Sequence, residues 1–269
     1  MSQKITYRER GQGQLLLLLH GYGGSVHHWQ TIAETLEGQY RIIVPNLGHL
    51  YLSTDKLSFS QQVDALAKFI EEHFPGEKVH VAGLSFGGAL AWGLATQHPH
   101  LVKTTALINP MVTDPIKHFL PIELRFFFTI PINLKSIYVM LATPMGKSFL
   151  KRSAQIFRDE RSDGATAVEN LQGRKLQFVA YMIHHFAWIL RSEDWSAWNK
   201  KLLSYRGECR LIYDLEDLLF NEEAYKRFAK HIGCDDVITL TGAGHLAIKS
   251  RPELIAQYIR ELIEETIAA

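Results

Sequence analysis

Short apolar runs alternate with stretches of helical periodicity over the first 110 residues. Continuous or nearly continuous apolar runs of this length are typical of strands buried on both faces, and they occupy residues 15–19, 40–44, 79–82 and 102–108. Between them, apolar residues recur at helical spacing over residues 29–36 and 63–74. This part of the chain therefore predicts strands that alternate with helices.

The same alternation returns near the carboxyl end. Strands are predicted at residues 210–213 and 237–240, and helices at 222–231 and 252–267, the last of them amphipathic. Alternating strands and helices predict an α/β fold with a mostly parallel sheet and helices on both faces. Such sheets bind ligands beyond the carboxyl ends of their strands, so the loops at those ends are the places to look for chemistry.

The segment from residue 111 to about 190 interrupts the alternation. It contains 8 of the 14 phenylalanines, and its ten Lys/Arg against six Asp/Glu give it a charge of 10 − 6 = +4. We interpret it as a helical cap over residues 111–191, inserted into a core domain formed by residues 1–110 and 192–269. Most of its aromatic side chains are expected to form the core of the cap itself.

Composition narrows the class of protein. The 269 residues are 46% hydrophobic and carry a net charge of +1, which gives no reason to expect nucleic acid as a partner. Two cysteines are too few for a disulfide framework and favour a cytoplasmic location. The amino-terminal residues have no signal-peptide core, and no apolar run approaches the roughly 20 residues of a membrane span.

A nucleophile elbow is predicted at Ser85. The serine stands within Gly83-Leu84-Ser85-Phe86-Gly87, directly after the strand at 79–82 and before an apolar helical stretch. Gly-x-Ser-x-Gly between a strand and a helix places the serine hydroxyl on a sharp turn above the sheet, and small flanking residues make that turn possible. The motif predicts a nucleophilic serine.

A serine hydroxyl needs a base, and the base needs an orienting acid. His245 follows the strand at 237–240 in the sequence Thr-Gly-Ala-Gly-His, which makes it the preferred base among 13 histidines. Three acids, Asp214, Glu216 and Asp217, share the loop after the strand at 210–213. Position alone favours Asp217, with Asp214 as the alternative and a turn or helix-capping role open for each.

The tetrahedral intermediate of acyl transfer also needs two hydrogen-bond donors. The backbone N–H of Phe86 is the first candidate, because it follows the nucleophile. The second is the N–H of Tyr22, in the glycine-rich loop after the first strand, whose supporting residues are His20, Gly21 and Gly23. No cofactor is predicted, and no metal either, since the histidines show no ligand spacing.

On these motifs the chain resembles the α/β-hydrolase family, over about residues 1–110 and 192–269. The resemblance implies an eight-stranded, mostly parallel sheet with a variable cap after the sixth strand. Aligning the acid loop with the family's usual Gly-x-x-Asp supports Asp217 and puts Asp214 in the place of the glycine. Asn46 and Leu50 also replace residues of a family motif, Asp-x-Pro-Gly-x-Gly.

Relatives with an aspartate nucleophile are excluded by Ser85, but many acyl-bond chemistries remain. The leading hypothesis is hydrolysis of a small-molecule carboxylic ester with an apolar portion. A thioesterase or acyltransferase is the close alternative, and the positive cap suggests an acyl carrier as its partner. A ligand-binding protein on a hydrolase scaffold is a third reading, and a peripheral lipase with Phe126, Phe127 and Phe128 on its lid is a fourth.

Overall fold

A seven-stranded sheet organises the residues that the computed structural model describes, which are 5–52, 55–112, 129, 131–156, 172–202 and 208–268. The strands, numbered β1 to β7, are Tyr7–Arg10, Gln14–Leu19, Tyr40–Pro45, Val79–Leu84, Val102–Ile108, Glu208–Asp214 and Asp236–Leu240. Their order is β1-β3-β2-β4-β5-β6-β7, and all neighbours are parallel except β1 and β3. The predicted α/β class is confirmed.

The strand count differs from the eight that the family resemblance implied. Among the described residues the antiparallel edge of the sheet is β1 alone, and Ile5 and Thr6 before it are not in a strand. The sequence did not predict β1, because all four of its residues, Tyr-Arg-Glu-Arg, are exposed and form no apolar run. It is held by pairing with β3 rather than by burial.

Both faces of the sheet are covered, as the apolar runs require. On β2, Leu15, Leu17 and Leu19 point to one face and Leu16 and Leu18 to the other, because side chains alternate along a strand. The first face packs against the helices at residues 59–73, 86–97 and 222–232, and the second against those at 30–36 and 252–268.

The described helices, numbered α1 to α11, are Gln30–Leu36, Gly48–Tyr51, Phe59–His73, Phe86–Gln97, Leu134–Ala142, Pro144–Ile156, Gly173–Ser192, Trp195–Leu202, Glu222–Ile232, Ala247–Ser250 and Pro252–Ala268. The caps follow sequence rules. Ser58 and Gln61 form a capping box before α3, and Asn221 caps α9 by accepting from the Ala224 N–H at 2.9 Å. Within the described residues, no helix is both long and apolar enough to cross a membrane.

Four of the described helices, α5 to α8, lie between β5 and β6. Side chains of α5, α6 and α7 share a small apolar core of their own, built from Ile137, Leu141, Leu150, Leu176 and Ala180. Helices α5, α6 and α7 fall in the segment interpreted above as the cap, and α8 follows that segment. Residues 113–128 and 157–171 of that segment, with Phe119, Phe126–Phe128 and Phe157, lie outside the described residues.

Candidate active site

Ser85 lies on a strained turn between β4 and α4. Its φ of 55° and ψ of −121° fall in a region that non-glycine residues rarely adopt. Hydrogen bonds hold the turn on both sides: the Ser85 N–H donates to Ile108 O at 3.1 Å, and Ser85 O accepts from the N–H groups of Ala89 and Met111. The backbone therefore presents the serine at the carboxyl end of the sheet, as the elbow motif predicts.

Glycines make this turn possible by leaving no side chain in its way. A Cβ on Gly83 would overlap the carbonyl oxygen of Gly87, and a Cβ on Gly87 would overlap that of Leu19. Since these obstacles are backbone atoms, no change of rotamer could relieve them. The two glycines of the Gly-x-Ser-x-Gly motif are thus required by close packing of the elbow against itself and against β2.

The loop after β2 lies directly against Ser85. A Cβ on Gly21 would be 3.2 Å from Ser85 Cβ and 3.7 Å from its Oγ, so the bare backbone of this loop approaches the hydroxyl. The loop is a tight turn in which the Gly24 N–H donates to Gly21 O at 3.0 Å, and Gly23 has a φ of 73°. These contacts place the backbone of the glycine-rich loop beside the Ser85 hydroxyl.

His20 supports that loop from below. Its Nδ1–H donates to Gly21 O at 3.0 Å, and its Nε2 accepts from the Leu47 N–H at 3.1 Å, so both ring nitrogens are used. Burial lowers the pKa of His20 to about 4, and the hydrogen bond to Gly21 O opposes that effect. His20 is therefore neutral and holds the loop through hydrogen bonds, consistent with its predicted supporting role.

The Tyr22 and Phe86 residues of the candidate oxyanion hole meet through their rings, 5.9 Å apart at the centroids. Phe86 is the first residue of α4, where the N–H has no carbonyl partner within the helix. The Tyr22 hydroxyl donates to Met182 O of α7 at 3.0 Å, and its ring lies 4.3 Å from that of Phe186. The glycine-rich loop is thus also bound to α7.

Asp217 and His245 form a buried pair. His245 Nδ1 lies 2.8 Å from Asp217 Oδ2, and both side chains are fully buried. The other carboxylate oxygen, Oδ1, accepts from the Leu219 N–H at 2.8 Å. A carboxylate on Nδ1 fixes the tautomer in which Nε2 can take a proton. The two residues approach from separate loops, after β6 and β7, as the chain order predicts.

Asp214, the alternative acid, makes different contacts. Its carboxylate accepts from the backbone N–H groups of Glu216 and Ala243, each at 2.8 Å. It therefore joins the loop that carries Asp217 to the loop that carries His245. The structure brings Asp217, not Asp214, to the imidazole.

Asn109, which the sequence analysis missed, completes this network. It follows β5 in a left-handed conformation with φ of 39°, and its Oδ1 accepts from the Asp214 N–H at 2.8 Å. Its Nδ2 donates to Gly244 O at 2.9 Å and to His245 O at 3.0 Å. Because the preceding Ile108 O accepts from Ser85 N, Asn109 links the serine turn to the histidine loop. Its place at a strand end was the available signal.

Asn46, which departs from the family motif Asp-x-Pro-Gly-x-Gly, makes a local hydrogen bond. Its Oδ1 accepts from the Gly48 N–H at 3.2 Å, which shapes the turn that also presents the Leu47 N–H to His20. Among the described residues, no group of three or more His, Cys, Asp or Glu side chains is placed to hold a metal ion.

Comparison with known proteins identifies the family of this chain. The model of the alpha/beta hydrolase family matches residues 16–258. Lipase 1 of Psychrobacter immobilis is 33% identical over 112 residues, covering 39% of this chain and 35% of the lipase. The pimeloyl-[acyl-carrier protein] methyl ester esterase of Vibrio vulnificus (strain YJ016) is 32% identical over 105 residues, covering 38% and 39%. The chain thus matches little more than a third of the length of either relative.

Among solved structures, a putative lipase from Acinetobacter baumannii AYE is similar over 100% of this chain and 90% of its own, with a TM-score of 0.76 and 18% identity. At that identity the likeness speaks for the fold alone. The family match spans most of the chain and both halves of the site. The chain therefore belongs to the alpha/beta hydrolase family.

Proposed function

We propose that the protein is a serine hydrolase that cleaves carboxylic esters with an apolar portion. The observation that carries the proposal is the fully buried Asp217–His245 hydrogen bond, joined through Asn109 to the strained turn of Ser85. A φ of 55° at a serine costs free energy, and such strain persists where the surrounding structure enforces it. In the proposed triad that strain serves to expose a nucleophile.

The proposed reaction proceeds through an acyl-enzyme. Ser85 Oγ attacks the ester carbonyl while its proton moves to His245 Nε2, and Asp217 stabilises the imidazolium. The backbone N–H groups of Tyr22 and Phe86 bind the oxyanion. His245 then gives the proton to the leaving alcohol, activates a water that attacks the acyl-enzyme, and returns the proton to Ser85 as the acid departs.

Substrate choice is assigned in this proposal to a cap formed by residues 111–191. The aromatic side chains of Tyr22 and Phe186 meet between the oxyanion loop and α7, which favours an apolar group near the reacting carbonyl.

A cytoplasmic location is proposed as well, because Cys209 and Cys234 are buried free thiols.

A fluorophosphonate probe tests the nucleophile. We expect the probe to label Ser85 of the folded protein and not the Ser85→Ala variant, with the site located by peptide mass. Ser136→Ala, at an exposed position on α5, is the matched control and should keep the label. Absence of label on the folded wild-type protein, together with thermal stabilisation by apolar ligands that it does not turn over, would favour the ligand-binding reading.

Chain-length dependence tests the apolar preference. On p-nitrophenyl esters of rising acyl length, kcat/KM should rise beyond acetate and pass through a maximum. A steady fall from the shortest acyl group onward would contradict the apolar portion of the proposal while leaving the nucleophile in place.

A second candidate is hydrolysis of an acyl thioester or ester on an anionic carrier. The sequences of α5, α6 and α7 contain seven Lys/Arg and no Asp/Glu: Lys135, Lys147, Lys151, Arg152, Arg174, Lys175 and Arg191. One relative acts, by its name, on an acyl-carrier-protein ester. An excess of positive charge raises the encounter rate with an anionic substrate, and salt weakens the effect.

Charge reversal separates the two candidates. Lys135→Glu with Arg174→Glu should lower kcat/KM and flatten its salt dependence for an acyl-carrier substrate, and leave a neutral p-nitrophenyl ester unaffected. Lys230→Glu, exposed on α9, is the control. Equal kcat/KM values on the carrier substrate for the cap variant and the control would remove the carrier from consideration.

A further inference from the structure

Tyr225 lies beneath the acid loop, in the first turns of α9. Its side chain is fully buried, and its ring stacks on that of Tyr213 in β6, with centroids 4.8 Å apart and an angle of 21° between planes. Because Asn221 caps the helix four residues earlier, the start of α9 and hence Tyr225 are fixed relative to the loop. The sequence carries no local signal for this residue.

The Tyr225 hydroxyl donates to Asp217 Oδ2 at 2.6 Å. The same oxygen accepts the Nδ1–H of His245 at 2.8 Å, while Oδ1 accepts the Leu219 N–H. The carboxylate thus receives three hydrogen bonds, two of them on the oxygen that faces the imidazole. Hydrogen bonds to a carboxylate are among the strong ones in proteins, and a 2.6 Å O···O distance is typical of them.

The hydroxyl remains a donor over the whole working range of pH. Burial raises the pKa of Tyr225 well above its usual value, and the negative charge of Asp217, the hydrogen bond to it and the charge of Asp214 raise it further. The titratable groups around the contact are Asp214 and Tyr213 on β6, Asp217 on the loop after β6, and His245 on the loop after β7.

We infer that Tyr225 is a positioning residue for the proposed triad, and that its hydrogen bond to Asp217 Oδ2 holds the carboxylate against His245 and weakens its attraction for the imidazolium. The inference rests on the proposed function. A donor on Oδ2 spreads the negative charge of the carboxylate and so weakens its attraction for an imidazolium. Removal of that donor would strengthen the attraction between Asp217 and the imidazolium that forms on His245 in the proposed reaction.

The Tyr225→Phe variant keeps the stacked ring and removes the donor. We expect the acidic limb of the pH profile of kcat/KM on p-nitrophenyl butyrate to move upward by about 0.5 to 1 pH unit, since a lost hydrogen bond to a charged group shifts its partner by about this amount. The value of kcat should fall about three- to tenfold, with KM unchanged, because Asp217 is less firmly held. Tyr213→Phe, in the other ring of the stack, should leave the pH profile in place.

A second measurement does not need turnover. In protein labelled with ¹⁵N-histidine, the ring nitrogens of His245 are assigned by their loss in His245→Asn, and their titration is followed by NMR. Tyr225→Phe should raise the pKa of His245 in this titration, whether or not an ester is hydrolysed. The proposed function can thus fail on the kinetic side while the role of Tyr225 is still decided.

The overturning result is equally specific. If Tyr225→Phe lowers the melting temperature but leaves both the acidic limb and the His245 titration where they are in the wild-type protein, Tyr225 only fills the core. A shift of the same size in Tyr213→Phe would also overturn the inference, because that variant leaves the Asp217 contact intact.

Discussion

The loops at the carboxyl ends of the strands and the helices between β5 and β6 are held by different kinds of contact. In the loops, buried polar groups of Asn109, Asp214 and Asp217 are joined by hydrogen bonds of 2.8 to 3.0 Å. The helices α5, α6 and α7 instead share a small apolar core. Described polar contacts between these helices and the first part of the chain include those of Tyr22 with Met182 and of Tyr181 with Leu52.

This difference teaches where chemistry and where selection of substrate can reside. A hydrogen-bond network fixes atoms in one arrangement, because a buried polar group left unpaired is costly. Apolar packing tolerates exchange among residues of similar volume. The proposed triad sits in the first kind of surroundings, and the proposed cap belongs to the second.

The largest effect should come from breaking the acid–base pair itself. Asp217→Asn should lower kcat by about 10⁴-fold, because the amide does not hold the imidazole in the tautomer that accepts a proton. Asp214→Asn, the neighbouring change, should mainly lower the free energy of unfolding by about 1–3 kcal/mol, since it weakens a link between loops. Ester kinetics and urea unfolding check both, and equal losses of kcat would contradict the assignment of roles.

The next effect is on the elbow. Gly87→Ala should lower the free energy of unfolding by about 3 kcal/mol, because the new methyl group meets the carbonyl oxygens of Leu19 and His20, which are backbone atoms. Gly38→Ala is the matched control: nothing lies within 4 Å of its Cβ position, so the change should stay within about 0.5 kcal/mol. Similar urea midpoints for the two variants would contradict the packing argument.

Acid should lower the free energy of unfolding through His20, which supports the glycine-rich loop. Its folded-state pKa is about 4, below the unfolded value near 6.5, so the unfolded chain binds the proton more readily between those pH values. Stability is therefore full above pH 6.5 and falls by about 1.4 kcal/mol per pH unit as pH drops towards 4.

Unfolding curves of wild-type protein and His20→Gln at pH 7, 6 and 5 check this, and the variant should show the flatter dependence. His80, buried in β4 beside Thr104 and Gln14, also has a pKa lowered to about 4 by burial. His80→Gln should make the free energy of unfolding less dependent on pH over the same range. It should not change kcat, because His80 lies away from the loops. If the free energy of unfolding of all three proteins depended on pH in the same way, histidine burial would not be the cause of the loss of stability in acid.

The smallest effect concerns the tie between the oxyanion loop and α7. Tyr22→Phe removes one hydrogen bond to Met182 O, worth about 1 kcal/mol, and should lower kcat about two- to fivefold. Tyr181→Phe removes a comparable bond from α7 to Leu52 O and should leave kcat unchanged, because Leu52 is not part of the oxyanion loop. If both variants lost kcat equally, the effect would belong to the cap as a whole.

The sequence predicted the strands that lie inside the sheet, because a strand that is buried on both faces consists of a run of apolar residues. It missed β1, whose exposed Tyr-Arg-Glu-Arg leaves no such mark. It also delimited none of the helices α5 to α8, since their apolar residues pack partly against each other and partly on the sheet.

For the site, motifs predicted the turn at Ser85, the loop at Gly21 and the pairing of a late acid with a late histidine, because these depend on local backbone shape. The parts played by Asn109, Asp214 and Tyr225 could not be predicted. Apart from the bond between Asp214 and the nearby Glu216 N–H, their side chains meet partners from 8 to 136 residues away in the chain, and only the folded sheet brings these together.

The order of the strands has a consequence for dissecting this molecule. Ser85 and the glycine-rich loop lie before the helices that separate β5 from β6, while Asp217 and His245 lie after them. A chain divided within that connection would give two fragments, each holding an incomplete set of reactive groups. Under the proposed function, reassembly through the β5–β6 pairing would be needed before an ester is cleaved. Colour from a chromogenic ester would then signal that the two fragments have met.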